Sequence, residues 1–73
     1  MTVTFCEMNI ESLVQQNKEL DEQLDAWHEV KTEALAHGIN VQAVEENISE
    51  IAKQAIKNGR LIDVFQQLIE ALR

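Results

Sequence analysis

The sequence has no proline, only two glycines and one cysteine, and aromatic side chains make up 4% of its 73 residues. With glycine confined to positions 38 and 59, no glycine-rich phosphate loop can form, and long stretches carry no helix breaker. Cys6 alone cannot make an internal disulfide, and the opening residues show no basic segment, long apolar run or small-residue cleavage site, so a reducing cytoplasm is the expected setting. No window holds the roughly 18 apolar residues that a membrane-spanning helix requires. Cations are scarce as well. Six Lys and Arg face thirteen Asp and Glu, a net charge of −7, which disfavours direct binding to DNA, RNA or an anionic membrane through phosphate neutralisation.

Apolar residues make up 45% of the chain, so the core must come from Leu, Ile, Val and Ala rather than from large rings. A chain this short buries only about 60% of the surface exposed on unfolding, which leaves no room for a separate catalytic domain. The expectation is an all-α protein with a first helix over residues 9–37 and two shorter helices over 41–58 and 61–72. Asn9 is placed to cap the first helix, with Glu11 near its positive end. Gly38 supplies the left-handed residue that follows a helix, Asn40 caps the second, and Gly59 is expected to end it. Asp63 then starts or caps the last segment. Residues 1–8, in which Val3, Phe5 and Met8 alternate loosely with polar positions, are read as an N-terminal arm, and 9–73 as one helical domain.

Read in heptads, the first helix places Ile10, Asn17, Leu24 and Lys31 at one seam position and Leu13, Leu20, Trp27 and Ala34 at the other. This register is clean for about three heptads and weakens at Lys31 and Ala34. Asn17 has two readings. Across a parallel pair of chains it would meet an identical Asn and fix register and oligomeric state; otherwise it is a polar residue at the edge of a seam within one chain. The pairs flanking a parallel seam, Gln16 with Asp21 and Gln23 with His28, permit a homodimer without selecting it.

At about 1.5 Å per residue the first helix extends about 40 Å, and the two shorter helices can run back along it, as a helical hairpin or a three-helix bundle. The second offers a narrow stripe of Val44, Ile48, Ile51 and Ala55. The third spreads Leu61, Ile62, Val64, Phe65, Leu68, Ile69 and Leu72 over half its circumference, more than one neighbour covers. Self-association is therefore expected, through Leu13, Asn17, Leu20, Leu24 and Trp27 on the first helix and Leu61, Phe65, Leu68 and Leu72 on the third. Trp27 is read as a core anchor, with an interface hot spot as the alternative.

Reactive chemistry is sparse. Asp25 with His28, and Glu33 with His37, have the spacing of carboxylate and histidine ligand pairs, but the two histidines stand about 13 Å apart along the helix, and the acids lie off the apolar stripe. No metal site is expected, and no cofactor. Cys6 has no basic neighbour in sequence to activate its thiol, and Ser12 and Ser49 have no visible base. No catalytic residue is assigned, and the chain is read as a non-enzyme.

Charge is uneven. From Glu11 to Glu33 seven acids oppose Lys18 and Lys31. Glu22, Asp25, Glu29 and Glu33 fall on one flank away from the seam, where they either meet a basic surface on another protein or form a solvated face. Mimicry of nucleic acid is the runner-up, because seven acids over about 33 Å give one per roughly 5 Å against one per roughly 1.7 Å in duplex DNA.

The stretch Leu13-Val-Gln-Gln-Asn-Lys-Glu-Leu-Asp-Glu-Gln-Leu24, followed after Gly38 by Ile39-Asn-Val-Gln-Ala-Val44, resembles the small helical accessory proteins encoded in the early regions of lambdoid bacteriophages and prophages. The likeness covers about residues 8–50. It implies a non-enzymatic early protein that acts in the host cytoplasm by binding a host or phage regulatory protein, and it carries over no site. The expected function is an acidic protein–protein interaction module, homodimeric, with inhibition of a DNA-binding or nuclease system by nucleic-acid mimicry as the alternative.

Overall fold

In a computed structural model, which describes residues 2–73, the chain is two long antiparallel helices, α1 over Val3–Ala36 and α2 over Gln42–Leu72, joined by a short loop. They pack side by side as a hairpin measuring 56 × 15 × 13 Å. The all-helical expectation holds, and the two long rods give the hairpin form. The separate third helix and the three-helix bundle do not appear.

The first correction is at the N-terminus. Thr2, not Asn9, caps α1: its backbone is extended and its Oγ1 accepts from the Phe5 amide at 3.1 Å, satisfying one of the orphan donors of the first turn. Residues 3–8 are therefore the opening turns of α1 rather than a separate arm. Asn9 lies inside the helix, where its Nδ2 donates to the Phe5 oxygen at 2.8 Å. Tertiary packing outweighs the β-branched Val3 and Thr4, whose helix propensity is low. Cys6 is fully buried, and the Phe5 ring meets Phe65 edge-on with centroids 6.3 Å apart.

The second correction is at Gly59, which does not end a helix. It sits within α2, so the segments 41–58 and 61–72 are one continuous rod. A glycine inside a helix costs about 1 kcal/mol relative to alanine. That is less than the packing on either side of it returns, because the stripe Val44, Ile48, Ile51, Ala55 continues in phase through Asn58, Ile62, Phe65 and Ile69.

The loop follows its sequence. Gly38 adopts φ +69°, its amide donates to Leu35 O, and the Ile39 amide donates to Ala34 O at 2.9 Å, which is the pair of hydrogen bonds that defines a Schellman turn. Asn40 Oδ1 accepts from the Gln42 amide at 2.8 Å, but the N-cap of α2 is Val41, without a side-chain cap bond, so Asn40 braces the turn one position before the cap rather than capping the helix as expected.

The core is a seam between two rods. Among the described residues only Cys6, Asn58 and Ile69 are buried, while Leu13, Asn17, Leu20, Leu24 and Trp27 of α1 are half-buried along the line facing α2. The third correction follows. The heptad seam of α1 is occupied by α2 of the same chain, so it is not a free surface for self-association. Asn17 takes the intrachain reading: its Nδ2 donates to Ala55 O at 3.2 Å. Of the expected α2 contacts, Phe65 and Leu68 are half-buried and Leu61 and Leu72 are exposed. Lys31, where the heptads weaken, reaches across to Glu45 at 3.5 Å, keeping its aliphatic stem in the seam and its charge outside.

Candidate functional site

Because α2 covers one side of α1 only, α1 presents a full outer back to solvent. Helical periodicity puts Glu22, Asp25, Glu29 and Glu33 there, three or four residues apart in one row, and all four are exposed. Among the described residues no Lys or Arg pairs with them. Among the described residues their one close basic neighbour is His37, whose Nε2 lies 3.6 Å from Glu33 Oε2. The acids that do find cations lie elsewhere: Glu45 with Lys31 near the loop, Glu50 with Lys53, and Glu7 with Arg73 at 3.7 Å at the open end. Such exposed pairs each contribute at most about 1 kcal/mol.

Two shallow hollows flank the row near the loop. One, of about 370 Å³, is lined by His28, Glu29, Thr32 and Glu33. The other, of about 580 Å³, has an apolar floor of Ala26, Val30, Ala34 and Ile39 with Glu29, Glu33 and His37 at its rim. Sequence reasoning singled out the acids but missed this floor. Its signal was present, since Ala26, Val30 and Ala34 recur at helical spacing, but Ala34 was assigned to the weakening heptads and Ala26 and Val30 to no stripe.

The remaining candidates separate. His28 and His37 are both exposed, and no group of three or more His, Cys, Asp or Glu able to hold a metal occurs among the described residues. Cys6 is wholly enclosed, so its thiol is out of reach of any substrate in the folded chain. Trp27 is half-buried on the α2-facing line, as a core anchor would be. No described helix is long and apolar enough to cross a membrane.

A second polar feature was not anticipated at all. At mid-length, Asn58 is 1% exposed. Its Nδ2 donates to Gln16 Oε1 at 3.4 Å and its Oδ1 accepts from Gln54 Nε2 at 3.0 Å. With the Asn17 bond to Ala55, these amides form a polar layer across the apolar seam.

No family model, curated protein or solved structure matches the chain.

Proposed function

We propose that this chain is a non-enzymatic protein-interaction module whose acidic row on the back of α1 receives a basic surface of another protein. The observation that carries the reading is the row itself: Glu22, Asp25, Glu29 and Glu33 stand exposed without a Lys or Arg partner among the described residues, beside hollows rimmed by the same Glu29 and Glu33. Carboxylates left unneutralised in a field of like charge attract and orient a cationic partner. The resemblance of residues 8–50 to early phage accessory proteins supports a host or phage regulatory protein as that partner, met in the bacterial cytoplasm. Nucleic-acid mimicry has weaker support. Four acids along about 16 Å of helix give roughly one charge per 4 Å, less than half the linear density of duplex DNA.

The test is capture from a bacterial lysate by the tagged chain, compared with a variant carrying Glu22→Gln, Asp25→Asn, Glu29→Gln and Glu33→Gln. The reading predicts a protein retained by the parent, lost by the variant and released by moderate salt, because exposed charge pairs are screened within about 10 Å at 0.1 M. A partner held equally by both and indifferent to salt contradicts it. A captured DNA-binding protein or nuclease that nucleic acid displaces would select mimicry instead.

A further inference from the structure

One broad face of the hairpin carries no charge along its inner rows. With Leu13 and Asn17 turned toward α2, the 100° step of the helix sets Asn9, Gln16, Gln23 and Val30 in a row on one side of the seam. The same step from Ala55 and Asn58 sets Asn47, Gln54, Leu61 and Leu68 in a row on α2. The bonds of Gln16 and Gln54 to Asn58 place both rows on one face. The corresponding rows on the opposite face include Glu7, Asp21 and Glu45. This face is apolar at its two ends and amide-rich in the middle. Phe5, Leu61 and Val64 are 50%, 38% and 51% exposed at the open end, and the Ala26–Val30–Ala34–Ile39 floor lies at the loop end.

The elongated hairpin as a whole exposes more surface than a compact fold of its size. The chain exposes 5437 Å², whereas a compact monomer of its 8.3 kDa exposes about 4,600 Å². The surplus is about 800 Å², which is what each partner contributes to an interface of standard size.

We propose that the occupant of this face is a second copy of the chain. The two copies pack face to face about a two-fold axis running along the hairpin, so that both loops lie at the same end and α1 of each copy lies over α2 of the other. A body with net charge −7 meets its own copy at least electrostatic cost where charge is missing. Apolar ends then meet apolar ends and amides meet amides. The same helical step borders the face with Glu19 and Glu33 on α1 and Glu50 and Lys57 on α2, and of these the mid-length pair chooses between the two possible alignments. Glu19 flanks the face on α1 and Lys57 flanks it on α2, and the Asn17–Ala55 and Gln16–Asn58 bonds show that these two positions lie at the same level. Laying α1 over α2 sets Glu19 of one copy beside Lys57 of the other. With the loops at opposite ends, Glu19 would meet its own copy near mid-length and so would Lys57, which is repulsive. Glu22 and Asp25 lie on the back of α1 outside this interface, whereas Glu29 and Glu33 rim the hollow whose floor belongs to it; the Leu61 and Val64 changes at the open end and the acid changes on α1 therefore separate dimerisation from partner capture.

The test begins with the mass of the full chain in solution at micromolar concentration, by sedimentation. The expected value is twice the 8.3 kDa of one chain. Leu61→Glu with Val64→Glu, both at exposed positions, should keep the helicity and weaken the dimer by at least about 100-fold in Kd. If that pair loses helicity, Leu61→Gln with Val64→Gln replaces it. Ile56→Glu, on the opposite face, should leave the dimer intact. Spin labels on Ala36→Cys, with the buried Cys6 unlabelled, should read about 20–35 Å between copies, against about 50 Å if the loops lie at opposite ends. A monomer, a dimer that tolerates the Leu61 and Val64 changes, or a label distance near 50 Å overturns the proposal.

Discussion

Asn17 Nδ2 donates to the main-chain oxygen of Ala55 across the seam at 3.2 Å, while Asn17 Oδ1 is buried without a partner. A seam-position asparagine therefore pairs with the other arm of its own chain, and it does so incompletely. The bond holds α1 and α2 at one level along their length, since an apolar seam of repeating heptads would tolerate a shift of one repeat. The unpaired oxygen carries a desolvation cost of about 1–3 kcal/mol.

Replacing that residue separates the two effects. Asn17→Leu removes the unsatisfied oxygen and fills the seam, and should raise stability by about 1–2 kcal/mol. Thermal unfolding would show this as a gain of roughly 4–8 °C per kcal/mol. A lower midpoint would mean that the amide layer contributes net stability rather than register.

The two glycines should respond in opposite directions. A Cβ at Gly59 meets nothing within 4 Å and the site is helical, so Gly59→Ala should stabilise by about 0.5–1 kcal/mol. Gly38 also has open space but holds φ +69°, so Gly38→Ala should cost about 1 kcal/mol through backbone strain alone. Urea midpoints of the two variants check both signs. Destabilisation by Gly59→Ala would indicate a break in α2 at that point.

The same pair of residues shows how far the fold could be read from the chain. Gly38 was legible because a helix end and a left-handed residue agree locally, although the cap of α2 falls at Val41, one residue after the Asn40 that the sequence offered. Gly59 was misread because its local signal, a breaker, conflicts with a seam that continues in phase through it, and packing between distant residues decides such conflicts. The start of α1 was missed for the same reason: the loose alternation of Val3, Phe5 and Met8 and the cap offered by Asn9 are local signals, whereas Cys6 and Phe5 are held against α2. Of the candidate site, the acidic row was legible because charge and period alone place it. The uncharged face and the Asn58 amide layer were not, because they exist only once α2 is known to be one rod folded against α1.

Cys6 offers a probe of the open end. Its thiol is 0% exposed, so reaction with a disulfide reagent should proceed only through opening of the helix ends and should be far slower than in denaturant. Thr2→Ala removes the cap that accepts from Phe5, costs about 1 kcal/mol, and should accelerate the reaction about fivefold. Immediate labelling of the parent chain would contradict the burial of Cys6.

Trp27→Ala should cost about 3–5 kcal/mol if the ring anchors the seam fully, and somewhat less at its observed half-burial. Circular dichroism and urea unfolding measure that loss. In a variant stabilised by Gly59→Ala, partner capture from lysate should survive the change, because Trp27 faces α2 and not the acidic row. Loss of capture with helicity intact would make Trp27 a contact residue.

The most direct measurement is the distance between the two ends of one chain. Labels on Thr4→Cys and Ala71→Cys, read in a sample diluted with unlabelled chain, report whether the α1 seam is closed by α2 of the same molecule. A closed hairpin, whose helix axes are about 10 Å apart, predicts about 15–30 Å between labels. A separation approaching the roughly 100 Å of one opened rod would show that the seam is closed by another chain.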